Sequence, residues 1–411
     1  MTRGQIRKVK TALSNYLSER SVVRHYQYPT RANTVKSVGY LIVSLPLALL
    51  ILPLAVVRAI VKGSWRIHVL ATEGEFGPFV KLMEVLRSES EYRSANDLVV
   101  VLSRRRHALC DLYESELGLR VLAGNSFRIF VQQAILLQPP PLIRVRRLTE
   151  RVSPKLSTNR IRLTDEHLKQ RHKLFCKIGV EEWKLVVMAV YVREYEEENN
   201  PQYLEKMLPL ISIGNELAPA VDFLEQNGVQ LLMVGSTDSG LSKIPRTFAR
   251  LSEYGQLGGQ EEVLFTSACR YFWTDNVGAW WLAVPFQRPV LQTNYARLKS
   301  RRMGFPAGSL CLPTLYQKPD GTHLTLREVL TAKTAPYKAA SRGDLRLIRN
   351  SPAEIINAHQ EMLGRLDGSW LETDDEKLLA LRSDEIMKEF PDLEQIKIAT
   401  SFLTKHPSFL D

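Results

Sequence analysis

Two carboxylates stand two residues apart in the glycine-flanked turn Thr72-Glu73-Gly74-Glu75-Phe76-Gly77. A carboxylate in such a loop can take the proton from an attacking hydroxyl. Either glutamate can instead cap the helix that follows. Further along, Arg193 closes an apolar run, and its rigid fork of donors suits phosphate oxygens. An ion pair with Glu194 or Glu196 is its competing use. Gly235, Ser236 and Thr237 directly follow another apolar run. Small residues there let the backbone approach a phosphate or ribose, and an ordinary turn would use the same residues. The stretch Asp275, Asn276, Val277, Gly278 and Ala279 opens a helix after a third run, where exposed amides and the helix dipole can hold a diphosphate. Base, guanidinium and amides together suit attack by a hydroxyl with departure of a diphosphate.

Metal and cofactor chemistry find no support in the pattern. The eight histidines include no H-x-x-x-H pair, and no nucleophile elbow or Walker loop is present. No Asp-x-Asp lies in these loops, so neither a metal nor a cofactor is expected. His68 sits within a predicted strand and reads as core. Cys110, Cys176, Cys269 and Cys311 are far apart, which suits reduced thiols.

These loops need strands and helices to carry them, and the pattern supplies two series. In the first, strands are predicted at Ile67–Ala71, Asp97–Leu102 and Leu119–Ala123. Helices follow at Pro78–Leu86, around His107–Leu117 and at Phe127–Leu137. Three prolines at 139–141 end this series, and the basic stretch Arg144–Lys177 reads as a connector with some helix. In the second, strands are predicted at Lys184–Val192, Val229–Val234, Arg270–Thr274 and Pro289–Thr293. Helices are predicted at Asn215–Asn227, Val263–Ala268 and Ser351–Arg365, the last with a capping box from Ser351 to Glu354. Alternating strands and helices imply parallel sheets covered on both faces. The fold class is therefore α/β: two Rossmann-like domains facing a cleft, at 64–180 and 181–345, with C-terminal helices over 346–411. Ligands bind such sheets at the carboxyl ends of the strands.

A basic arm, 1–36, and an apolar segment, 37–63, precede the first series. The net charge of +11 is concentrated there: residues 1–66 hold eleven Lys or Arg against Glu19 alone, a net of +10. Nucleic acid is a poor fit, because no aromatic-rich basic module accompanies the charge. Attraction to anionic lipid is a better one. Val38 to Val57 carries no charge, and includes Leu41, Leu45, Pro46, Leu50 and Pro53. Its length suits a bilayer core. The two prolines and basic flanks (Arg31 and Lys36, then Arg58, Lys62 and Arg66) favour a bent, one-sided membrane-embedded helix; a span and a buried soluble helix are the alternatives. Residues 5–28 fit either an amphipathic helix or a solvated arm.

The succession WKLVVMAVYVRE (183–194), SIGNELAPAVDFLEQNGVQLLMVGS (212–236) and LFTSACRYFWTDNVGAWWLAVPFQRPVLQTNYA (264–296) resembles a group of bacterial glycosyltransferases from surface-polysaccharide gene clusters. These are distantly similar to fucosyltransferases of the two-Rossmann, or GT-B, type. The resemblance covers roughly residues 65–365. Phe286–Pro289 and Asn294-Tyr295 match its closing motifs, and Arg193 and Asn215 match polar positions. It departs at Tyr191, Gly214, Met233 and Val277, where the group carries His, Arg, Arg and Ser. The resemblance implies a glycosyltransferase at the cytoplasmic face of the inner membrane, using a nucleotide sugar as co-substrate and a glycan or lipid-linked acceptor. Glu73, Glu75 and Arg193 would be catalytic. Asn215, Gly235, Ser236, Asp275, Asn276, Gly278 and Ala279 would bind the donor. Trp280, Trp281 and Phe272 fit either the donor base or the core. The four departures favour a second reading, a catalytically degenerate scaffold in a polysaccharide-assembly complex. A polyol-phosphate transferase is a third.

Overall fold

The computed structural model describes residues 31–62, 65–70, 76–88, 98–101, 108–118, 120–122, 143–148, 159–190, 214–234, 249–250, 259–275, 278–298, 304–391 and 396–411. They fall into two compact units, Met1–Val152 and Ser153–Asp411.

The first unit holds a four-stranded parallel sheet of β1 (Trp65–Leu70), β2 (Leu98–Val101), β3 (Arg120–Leu122) and β4 (Ile143–Leu148), in the order β3-β2-β1-β4. The strand order reverses between β1 and β4, which pair in parallel from Trp65↔Ile143 to Leu70↔Leu148. The connector expected from Arg144 thus begins as a strand. Its pattern, Ile143-Arg-Val-Arg-Arg-Leu148, sets Ile143 and Val145 two apart, and the three arginines masked the strand in the sequence.

Helices α1 (Arg31–Lys62), α2 (Phe76–Ser88) and α3 (Ala108–Leu117) complete the described part of this unit. Phe79, Val80, Met83, Leu86, Leu109, Leu112 and Tyr113 are buried. One polar knot joins α2 to α3: the buried Tyr113 hydroxyl donates to Glu84 Oε1 at 2.7 Å, and Arg87 pairs with Glu84 at 3.3 Å. Burial pushes the Glu84 carboxyl up, against the pull of Arg87 and the Tyr113 hydrogen bond.

Helix α1 corrects the expectation of a membrane-embedded segment. It runs through Pro46 and Pro53 as one helix, and among the described residues no helix is long and apolar enough to cross a membrane. Ser44, Ala48 and Ala55, on one side of the helix, are buried within the protein. Small residues on that side let the helix seat closely, while Leu45, Leu49, Leu50 and Leu54 remain exposed.

The second unit is built on seven parallel strands: β5 (Leu185–Val190), β6 (Gln230–Met233), β7 (Ala249–Arg250), β8 (Tyr271–Asp275), β9 (Val290–Tyr295), β10 (Leu310–Pro313) and β13 (Lys397–Ile398). Their order is β13-β10-β9-β8-β5-β6-β7, with every described pairing parallel. This is a doubly wound sheet whose strand order reverses between β5 and β8. Strands β5, β8 and β9 are buried along almost their whole length, as a sheet covered on both faces requires. A separate antiparallel pair, β11 (Leu315–Gln317) and β12 (Arg346–Ile348), follows β10; the sequence reading missed it because both strands are only three residues long.

The helices of this unit are α4 (Asp165–Ile178), α5 (Gly214–Gln226), α6 (Gln260–Ala268), α7 (Leu326–Thr331), α8 (Pro336–Ser341), α9 (Pro352–Asp367), α10 (Asp374–Lys388) and α11 (Thr400–Lys405). The expected capping box starts α9: Ser351 Oγ accepts from Glu354 N at 3.4 Å, and Glu354 Oε2 accepts from Ser351 N at 2.6 Å. Burial opposes the charge on Glu354, but bonds from His406 and Ser351 outweigh it and hold the carboxyl down at about 2. Helix α9 packs on α5, β9 and β10, placing Ile355, Ala358 and Met362 in the core.

The same helix carries a wholly buried histidine. His359 Nδ1 lies 2.7 Å from the Tyr271 hydroxyl, and its ring meets Trp273 edge-on at 4.4 Å. Burial lowers its pKa from 6.5 to about 3. The unfolded chain therefore binds this proton more readily, so stability is full above about pH 6.5 and falls as pH drops toward 3. Urea unfolding is expected to show a loss of about 1.4 kcal/mol per pH unit within that window from this residue. The His359→Gln variant, compared with the wild type between pH 7 and 5, should lose that share of the slope; an equal slope in both would show that the group is not held neutral.

Candidate active site at the carboxyl edge of the second sheet

The reversal between β5 and β8 opens a crevice at the carboxyl ends of those strands, where doubly wound sheets hold their ligands. Val190, which ends β5, pairs in register with Asp275, which ends β8. Asp275 in turn aligns with Thr293 of β9. The side chain of Asp275 is wholly buried, yet it is a carboxylate at the mouth of a sheet rather than in its apolar middle. A buried carboxylate must be paired or hydrogen-bonded.

Two partners reach it from other parts of the chain, Arg349 and Asn294. Arg349, just beyond β12, places Nη2 3.1 Å from Asp275 Oδ2 and Nε 2.6 Å from Glu216 Oε2. Glu216 lies in the first turn of α5, where the positive end of the helix dipole favours a carboxylate. Asn294 Nδ2 donates to Asp275 Oδ2 at 3.3 Å. Arg349 and Glu216 retain 16% and 28% of their exposure, so the knot is closed toward the core and open outward.

Asn294 is held by a reciprocal clasp. Its backbone N donates to Asn350 Oδ1 at 2.6 Å, and Asn350 N donates to Asn294 Oδ1 at 2.7 Å. Asn350 Nδ2 also donates to Pro313 O, the end of β10, at 2.8 Å. Asn294 adopts a positive φ of 48°, which asparagine tolerates better than most residues. The clasp ties the ends of β9 and β10 to the entrance of α9. One cation bridges two carboxylates here, a net charge of −1 in which fixed donors and acceptors alternate. Such a surface can orient a polyhydroxylated ligand through its hydroxyl groups.

Among the residues singled out from sequence, Asp275 lies at the centre of this knot. Gly278 and Ala279 follow closely, but the helix expected after them is a five-residue 3₁₀ turn, Gly278–Leu282. Gly278 is exposed and Ala279 buried. Trp280, Trp281 and Phe272 are core residues; Trp280 stacks on Trp281 at 4.4 Å and on Phe305 at 4.2 Å. Asn215 lies on α5, one residue before Glu216. Glu73, Glu75, Arg193, Gly235, Ser236 and Asn276 lie outside the described residues.

Arg349, Glu216 and Asn350 were missed. The recognisable signal was the Arg349-Asn350 dipeptide set against the capping box of α9, a polar pair fixed at a helix entrance beside the sheet edge. Among the described residues no group of three or more His, Cys, Asp or Glu is arranged to hold a metal.

No family model matches the chain, and no curated protein matches it. Solved structures with a likeness to it are glycosyltransferases. A glycosyl transferase family 9 protein from Veillonella parvula has a TM-score of 0.48 at 10% identity, over 74% of this chain and 98% of that one. The E. coli ADP-heptose lipopolysaccharide heptosyltransferase II scores 0.37 at 12% identity, over 56% and 84%. The E. coli heptosyltransferase WaaC scores 0.35 at 10% identity, over 68% and 98%. At such identities and TM-scores these likenesses carry no activity or substrate across to this chain.

Proposed function

We propose that this chain is a glycosyltransferase that moves a sugar from a nucleotide-sugar donor to a hydroxyl of a glycan or lipid-linked acceptor. The observation that carries the reading is the Glu216–Arg349–Asp275–Asn294 knot at the point where the strand order reverses. Asp275 and Asn294 frame Arg349. Glu216, the more open carboxylate, accepts from hydroxyl groups of the donor.

Arg193 and the amides of Gly278 and Ala279 meet the charge that develops on the leaving diphosphate; charge stabilisation by fixed donors is usually the largest catalytic term. Asn215, Gly235, Ser236 and Asn276 complete the donor site. Glu73 or Glu75 takes the acceptor proton. In this proposal transfer needs neither a metal nor a cofactor. The sequence resemblance supports a bacterial role in surface polysaccharide. The basic arm, with eight Lys or Arg against Glu19 over residues 1–36, a net of +7, would hold the chain against the cytoplasmic surface of an anionic membrane.

A second reading, a scaffold without catalysis, is favoured by the departures at Tyr191, Gly214, Met233 and Val277. The two separate in a thermal-shift screen of ADP-, GDP-, UDP-, CMP- and dTDP-sugars. A donor at about 100 times its Kd should stabilise the fold by about 2.7 kcal/mol. Absence of stabilisation by all of them, in a well-folded sample, would overturn the transferase reading.

A further inference from the structure

The amino edge of the seven-stranded sheet, the end opposite the crevice, carries its own concavity of about 350 Å³. It is lined by Trp183, Arg270, Leu366 and Asp367. We propose that it is a binding site for a saccharide ring, separate from the donor site.

Trp183 is 64% exposed, unusual for so large an apolar group, and it is held in place rather than left loose. It sits in the 3₁₀ turn Glu182–Lys184, which leads directly into β5. Ion pairs brace that turn on both sides, Glu182 with Arg171 at 3.1 Å and Lys184 with Glu181 at 2.8 Å. Glu181 N also donates to Gln230 Oε1 at 2.8 Å, fastening the turn to β6. Lys184 Nζ lies 4.5 Å from the Trp183 ring centroid, so one face of the indole is covered by a cation. A ring fixed in advance loses little freedom on binding.

The polar part of the site is equally tied down. Arg270 N donates to Leu185 O at 2.8 Å, joining the start of β8 to the start of β5 beside Trp183. The Arg270 side chain pairs with Asp367, at the end of α9, at 2.5 Å. Asp367 remains 58% exposed. The concavity therefore offers a flat aromatic wall, an aliphatic edge from Leu366, and a donor and an acceptor side by side.

Saccharide rings present the matching surface, with C–H groups on a flat face and hydroxyls that both donate and accept. The charges of Arg270 and Asp367 cancel, which favours an uncharged ligand over an anion. Arg270 and Asp275 are separated by one strand length, roughly 17 Å. One sugar ring cannot reach both edges.

The proposal does not rest on the transferase reading, because its test reads binding alone. The full chain is titrated with maltohexaose, cellohexaose, chitohexaose and mannohexaose, following saccharide-proton saturation transfer and affinity. At least one should bind, with Trp183→Ala weakening it about tenfold and Trp183→Phe retaining most of it. A saturating nucleotide sugar found in the donor screen should not displace it. Binding of none of the four, or equal binding by Trp183→Ala at an unchanged melting temperature, would overturn the proposal. Displacement by the nucleotide sugar would also overturn it, by placing the saccharide at the opposite edge.

Discussion

Replacing Arg349 with alanine is expected to cost about 3–5 kcal/mol, because it removes a guanidinium paired with the wholly buried Asp275. For a unit of this size that loss corresponds to a fall in melting temperature of about 10 °C. Asn294 Nδ2 at 3.3 Å would remain as a hydrogen bond to the same oxygen, and a neutral amide does not replace a guanidinium. Lysine should not rescue the loss: an ammonium is a point charge, whereas Arg349 reaches Asp275 and Glu216 with different nitrogens of one planar group. Thermal unfolding of Arg349→Ala and Arg349→Lys checks this. A melting temperature within a degree or two of the wild type in both would mean that the bridge contributes little. The same variants should lose affinity for any donor that stabilises the wild type.

A comparable loss is expected for Glu361→Ala, far from the crevice. Glu361 is wholly buried on α9, and its two oxygens accept from Thr400 N at 3.0 Å, Thr400 Oγ1 at 3.0 Å and Ser401 N at 2.9 Å. These are orphan donors in the first turn of α11. The carboxylate also receives Arg365 at 2.9 Å. Removing it strands three donors at once, each unmet donor costing about 1–3 kcal/mol before relaxation, while Arg365 keeps its ion pair with Glu372. The expected total is about 3–5 kcal/mol. The expected phenotype is local: faster hydrogen exchange and proteolysis over 396–411, with the strands β5, β8 and β9 still protected. Uniform loss of protection across the sheet would show instead that the tail and the sheet unfold together.

Strands β5, β6, β8 and β9 of the second sheet were readable as buried apolar runs, whereas β7, β10 and β13 were not. Leu185–Val190 and Tyr271–Asp275 are nearly continuous apolar runs, and the capping box at Ser351 marks the start of α9 without ambiguity. β4 was hidden because three of its six residues are arginines, in a segment that composition alone marks as polar. The apolar run at Val38–Val57 shows the opposite failure. Composition cannot distinguish a segment facing lipid from a helix that seats small residues against its own protein, as Ser44, Ala48 and Ala55 do. Asp275 was singled out as the opening residue of a loop whose amides could hold a diphosphate, not as a buried carboxylate that ends a strand. The knot around it was not legible, because Glu216, Asn294 and Arg349 lie far apart in sequence and only the wound order of the sheet brings them together.

The proposed donor site at the carboxyl edge of the second sheet is tested most directly by hydrogen exchange of the full chain, with and without a nucleotide sugar found to stabilise it. Slower exchange at segments ending at Val190 and Asp275, at Gly278-Ala279, and at Asn294 and Arg349-Asn350 is the predicted result. Unchanged exchange at all of these, with protection only at Trp183–Leu185 and Arg270 or only within residues 1–152, would contradict the assignment.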